Sequence, residues 1–143
     1  MTDVYITDLA AWCGIDFGDT YSNPLYYALN LYQNGTLVTD LVIPDGVTGI
    51  GSYAFYGCRN LVSVAVPSVV TSIGDSAFRS CYRLVEVVNH SSLNITAGSS
   101  SYGYVGYYAK EVHSGTSKIV DLNGVAKNSE TLKLETIGGI IFL

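Results

Sequence analysis

Apolar positions in the middle of the chain recur in a fixed order. In Leu61–Val66, the side chains of Leu61, Val64 and Val66 read as the inward positions of a short strand. Val62, Ser63 and Ala65 fall outside or at the margin. Pro67 has no N–H to extend a ladder and ends the strand. Gly74 then suits a turn, and Ala77, Phe78 and Cys81 bring a return segment back onto the core. The same order occurs 23 residues earlier. Pro44, Val47, Thr48, Ile50, Gly51, Ala54, Phe55 and Cys58 match Pro67, Val70, Thr71, Ile73, Gly74, Ala77, Phe78 and Cys81, eight identities in 23 positions. A third copy begins at Leu84 and Val87 but decays, with Asn89 in an apolar slot and His90 in the proline slot. A coil this short cannot bury its own hydrophobic face, so neighbouring coils must cover it. Strands of successive coils are then expected to pair in a parallel sheet.

The flanks follow other periods. Tyr5, Leu9 and Trp12 share one face of a helical spacing, and Leu25, Ala28, Leu29 and Tyr32 make a second stripe. Asn23-Pro24 fits a helix start, and Asn34-Gly35 fits a tight turn into the first repeat strand. Residues 1–37 are therefore expected to form a helical N-terminal cap. Residues 38–96 hold the repeats, as 38–60, 61–83 and a degenerate 84–96. Residues 97–143 read as a C-terminal cap or β extension. It opens on a Gly/Ser/Tyr-rich run, alternates over Thr131–Ile137 and has a turn signal at Gly138-Gly139.

Composition narrows the class. Apolar residues make up 48% of the chain and charged residues 13%, with a mean hydropathy of +0.30. That balance excludes disorder as the main state. A net charge of −5 with seven scattered basic residues gives no broad surface for nucleic acid. No run approaches the ~18–20 apolar residues of a membrane span. Met1-Thr2-Asp3-Val4 carries no basic leader region, which leaves a cytoplasmic placement open. The apolar end, Ile140–Leu143, reads as a docked last strand or as a cut through a longer protein.

The pattern IP-x-x-V-T-x-I-G-x-x-A-F-x-x-C over Ile43–Cys58, repeated over Val66–Cys81 with Val for Ile, resembles the BspA-type leucine-rich repeat. Asn23–Ala28 with Leu31-Tyr32, and Ser92–Gly98 with Tyr102–Val105, resemble the segments that often flank such repeats. The resemblance implies an α/β leucine-rich-repeat solenoid: a short parallel sheet of about three coils between a helical N-terminal cap and a β-rich C-terminal cap. It also implies cell-surface or secreted placement and a protein partner, whether host, matrix or bacterial surface protein.

No constellation for catalysis stands out. Cys58 and Cys81 occupy one slot in successive coils and read as a buried cysteine ladder rather than a redox pair, and Cys13 lacks a neighbouring base. Asp16-Phe17-Gly18 spells a kinase triplet but reads as a turn, since the other kinase motifs are absent. His90 and His113 read as surface or loop histidines, with Glu111 near His113 in sequence. No enzyme, metal or cofactor is expected. The surface that could bind a protein comprises Thr39, Asp40, Val42, Val62, Ser63, Ala65 and Glu86 on the strand face, with Val85 and Val88. Tyr53 and Tyr56 join it as an exposed pair at variable repeat positions. The alternative is a spacer or stacking unit without a ligand, with edge-to-edge self-association possible.

Overall fold

The computed structural model describes residues 2–114 and the backbone of two short strands at 135–137 and 140–142. The N-terminal segment runs β1 (Asp3–Ile6), α1 (Leu9–Cys13), a single 3-10 turn (Thr20–Ser22), α2 (Leu25–Ala28), β2 (Asn30–Gln33) and β3 (Thr36–Leu37). The repeat strands follow: β4 (Asp40–Val42), β5 (Gly49–Ile50), β6 (Ser63–Val66), β7 (Ser72–Ile73), β8 (Glu86–Asn89) and β9 (Glu111–Ser114). The last two, β10 (Glu135–Ile137) and β11 (Ile140–Phe142), pair antiparallel. The Gly138-Gly139 turn expected between them lies outside the described residues.

Four strands, in the order β4-β6-β8-β9, form one parallel sheet. Asp40 pairs with Ser63 and Ser63 with Glu86, so the sequence offset of 23 is also the strand register. The next step is 25 residues, from Glu86 to Glu111. β5 and β7 form a second parallel pair at the 23-residue offset, Gly49 with Ser72. A third line of contact runs through the return segments. The amides of Tyr53, Phe55 and Gly57 donate to the carbonyls of Asp75, Ala77 and Arg79 at 3.0, 2.8 and 2.9 Å, and Phe78 N–H donates to Gly103 at 2.7 Å. The first two coils are thus tied together on three sides, and the second to the third through the main sheet and the return segment. Leu41, Val64 and Val87 stack inward along the main sheet, and the Phe55 and Phe78 rings stack 5.2 Å apart at 10°. One contiguous core runs from Val4 to Val105.

The N-terminal cap is not the helical unit that its spacing suggests. Val4 is buried while Tyr5 is exposed, and β1 pairs parallel with β2, Val4 against Leu31. α1 keeps only the Leu9, Trp12 and Cys13 face, capped by Asp8, whose carboxylate accepts from Ala11 N–H at 3.0 Å. α2 ends after four residues because Leu29 takes a left-handed conformation, φ 71°. Asn34 and Gly35, both at positive φ, close a two-residue hairpin between β2 and β3.

This segment closes the open end of the first coil by hydrogen bonds as well as by packing. Asn23, with no exposed surface, donates to Tyr53 O and Ala54 O at 2.7 and 3.0 Å and accepts from Leu25 N–H at 2.8 Å. Trp12 Nε1 donates to Ala54 O at 2.9 Å. These groups satisfy carbonyls that a preceding coil would otherwise take.

Two further expectations change. Gly74 is not a turn glycine. Its Cβ would stand 2.4 Å from the Ser52 amide of the coil before, and that of Gly51 would stand 1.9 Å from Ile15 O. Glycine is required there by close backbone approach. The degenerate third copy still forms a coil. Asn89 is buried in the apolar slot because its side chain has local partners: it accepts from Ser91 N–H at 3.0 Å and donates to Leu93 O at 2.7 Å. A further strand, β9, extends the sheet beyond the three coils that the repeat letters suggest.

Candidate functional site

The outward face of the main sheet carries two rows set by strand register. Asp40, Ser63, Glu86 and Glu111 form one row, and Val42, Ala65, Val88 and His113 the other. Successive side chains on a strand point to opposite faces, so each row lies on the side away from Leu41, Val64, Val87 and Val112. The first row is acidic, eased where Ser63 Oγ donates to Asp40 Oδ1 at 2.6 Å. The second is apolar, with Val42 66% exposed, and ends on an imidazole. Thr39 lies at the strand entrance, where its carbonyl accepts from Val62 N–H at 2.7 Å. Val62 is exposed just before β6. Thr39, Asp40, Val42, Val62, Ser63, Ala65 and Glu86 therefore sit along one side of the stack.

Tyr53 and Tyr56 lie elsewhere, on the return side, and are half-buried rather than an exposed pair. Their rings sit 5.9 Å apart, and Tyr53 has a left-handed backbone at φ 60° and packs on the core. Tyr56 lines a cleft of about 360 Å³ with Tyr26, Tyr82, Arg59, Asn60 and Arg83. The exposed tyrosines are Tyr5, Tyr21, Tyr26, Tyr27, Tyr82 and Tyr107. Several form edge-to-face chains, Tyr21–Tyr26–Tyr27 and Tyr82–Tyr108–Tyr107. Repeat spacing could not reveal that cleft, because its walls come from α2 and two successive return segments.

The cysteines offer no reactive group. Cys13, Cys58 and Cys81 are free and fully buried. Burial pushes the Cys13 and Cys58 thiols up to about 12 and the Cys81 thiol well above its ordinary value. Cys81 Sγ donates to Phe55 O at 3.1 Å across the coils. His90 is exposed after β8. His113, expected at the surface or on a loop, is half-buried in β9, with Nε2 2.8 Å from Glu111 Oε2 and 3.6 Å from Glu86 Oε2.

The family model for the BspA type leucine rich repeat region (6 copies) matches residues 28–108, more than half of the chain. The chain belongs to the BspA-type leucine-rich-repeat family. No curated protein and no solved structure matches it. Repeats of the leucine-rich class generally mediate protein–protein interaction and are typically non-enzymatic, and BspA-type proteins are often found at cell surfaces. Among the described residues, no helix is long and apolar enough to cross a membrane.

Proposed function

We propose that this BspA-type unit is a non-enzymatic protein-binding module of an adhesion or cell-surface protein, and that its outward sheet face meets the partner. The observation that carries the reading is the register. It places an apolar row, Val42–Ala65–Val88, beside an acidic row, Asp40–Ser63–Glu86. The letters shared between copies are core letters, so specificity falls to these positions, where the copies differ. Thr39 and Val62 extend the surface at the strand entrances, and Tyr53 and Tyr56 stand apart from it. A stack of coils presenting one ribbed face suits an extended protein surface with matching apolar and basic positions. The face is small, so tight attachment would come from several copies engaging at once.

The test is a binding screen of the immobilised protein against extracellular-matrix and bacterial surface proteins, repeated with Val42→Glu and Val88→Glu. Either substitution should weaken a genuine partner by about tenfold or more, the scale of a 1.4 kcal/mol interface residue. Tyr82→Ser on the return side should leave it unchanged. A partner indifferent to both face variants would overturn the assignment of this face, and a complete absence of partners would favour the spacer reading.

A further inference from the structure

At the last strand of the sheet the two outward rows converge on a cluster of two carboxylates and an imidazole. Glu86 and Glu111 are register partners on adjacent parallel strands, so two carboxylates stand directly opposite each other. Like charges in that position repel, and a bound cation would ease that repulsion. His113, two residues along β9 on the same face, turns its imidazole back toward both. Nε2 lies 2.8 Å from Glu111 Oε2 and 3.6 Å from Glu86 Oε2, and one ligand atom from each of the three residues falls within 4.8 Å of the others. Nε2 is shielded from solvent yet makes no hydrogen bond, although the Glu111 oxygen is so near. That oxygen therefore stands to the side of the ring's Nε2 axis rather than on it.

We infer that His113, Glu86 and Glu111 form a divalent-metal site of the zinc class. A nitrogen flanked by off-axis carboxylate oxygens is an arrangement a metal ion on the axis can use. Zinc takes His nitrogen and carboxylate oxygen at ~2.0–2.2 Å in a tetrahedron, so its ligand atoms stand roughly 3.3 Å apart. The 2.8 and 3.6 Å separations bracket that spacing. The imidazole argues against calcium and magnesium, which prefer all-oxygen sites. Three protein ligands leave a fourth position for water or a partner's side chain. Glu86 belongs to β8, and Glu111 and His113 belong to β9, so the ion would fasten the last described strand of the sheet to its neighbour. This site lies at the β8–β9 end of the outward face proposed above and shares Glu86 with it, but its zinc binding is measured without any partner.

The competing arrangement is a direct contact of His113 with the two carboxylates that holds no metal, and a zinc titration separates the two. The whole protein, stripped of metal, is titrated with zinc against a chromophoric chelator, and its thermal midpoint is recorded with and without zinc. The site predicts one equivalent bound, a raised midpoint, loss of both effects in His113→Ala, and affinity at least about tenfold weaker in Glu111→Gln. Glu111 is exposed, so its amide variant should fold even if His113→Ala does not. No saturable zinc binding, or binding unchanged in Glu111→Gln, would overturn the site.

Discussion

Gly74 shows what one residue contributes to the stack. Its conformation needs no glycine, yet an added Cβ would stand 2.4 Å from Ser52 N and 2.8 Å from Ser52 Cα. Both are backbone atoms and cannot swing away. Gly51 is in the same position against Ile15 one coil earlier, which explains why the repeat keeps glycine in this slot. Gly74→Ala should therefore push two coils apart and destabilise the fold by about 1–3 kcal/mol, the usual range for overpacking. Gly35→Ala makes a useful comparison, because its Cβ would meet nothing within 4 Å and only its φ of 82° resists. Urea unfolding of both variants checks the difference, with Gly74→Ala predicted to lose at least as much stability despite its permissive backbone.

At the scale of elements, the repeat is legible in the sequence and the N-terminal segment only in part. The slots of Leu41, Val64 and Val87 were readable because each coil must solve the same packing problem. The 23-residue spacing then became the strand register itself. The N-terminal segment faces only one coil, so no period constrains it. Its helical stripes are shortened to α1 and α2 by β1 and β2, whose parallel pairing is a long-range contact that local spacing does not encode. The strand β9 carries no repeat signal, because its step is 25 residues and its letters do not recur. That longer step also hid the cluster at His113, since the approach of Glu86 to Glu111 depends on it. Tyr53 and Tyr56 read as surface positions because they are variable letters, but Tyr53 is held by the left-handed turn that begins the return segment.

Within the repeat, the stacked pair Phe55 and Phe78 fills the core of successive return segments, both with no exposed surface. Phe78→Ala should cost about 3–5 kcal/mol as a core truncation, whereas Tyr82→Ala on the surface should cost little. Chemical denaturation of the two variants tests this, and similar losses would contradict the packing described.

For the whole molecule, stability should depend on alkaline pH through the thiols. Cys13 and Cys58 are held near 12 in the fold, against an ordinary value of 9.0 when exposed. Between these values the unfolded chain gives up protons that the folded chain retains, so ionisation favours unfolding. The cysteines therefore leave stability unaffected below about pH 9 and erode it as pH rises toward 12. A Cys58→Ala variant, compared with the parent in urea titrations across that interval, should show a shallower decline. At neutral pH a thiol reagent should label the native protein far more slowly than the protein in denaturant.

Both the interface and the metal site rest on which side chains face outward, and that depends on register. A slip of one residue in a strand would turn its outward row into the core. Nuclear Overhauser contacts between neighbouring strands in an isotopically labelled sample test this most directly. The structure predicts cross-strand contacts pairing Val42 with Ala65, Ala65 with Val88, and Val88 with His113, all in parallel sense. Contacts pairing Ala65 with Val87, or an antiparallel pattern in any of the three pairs, would contradict it.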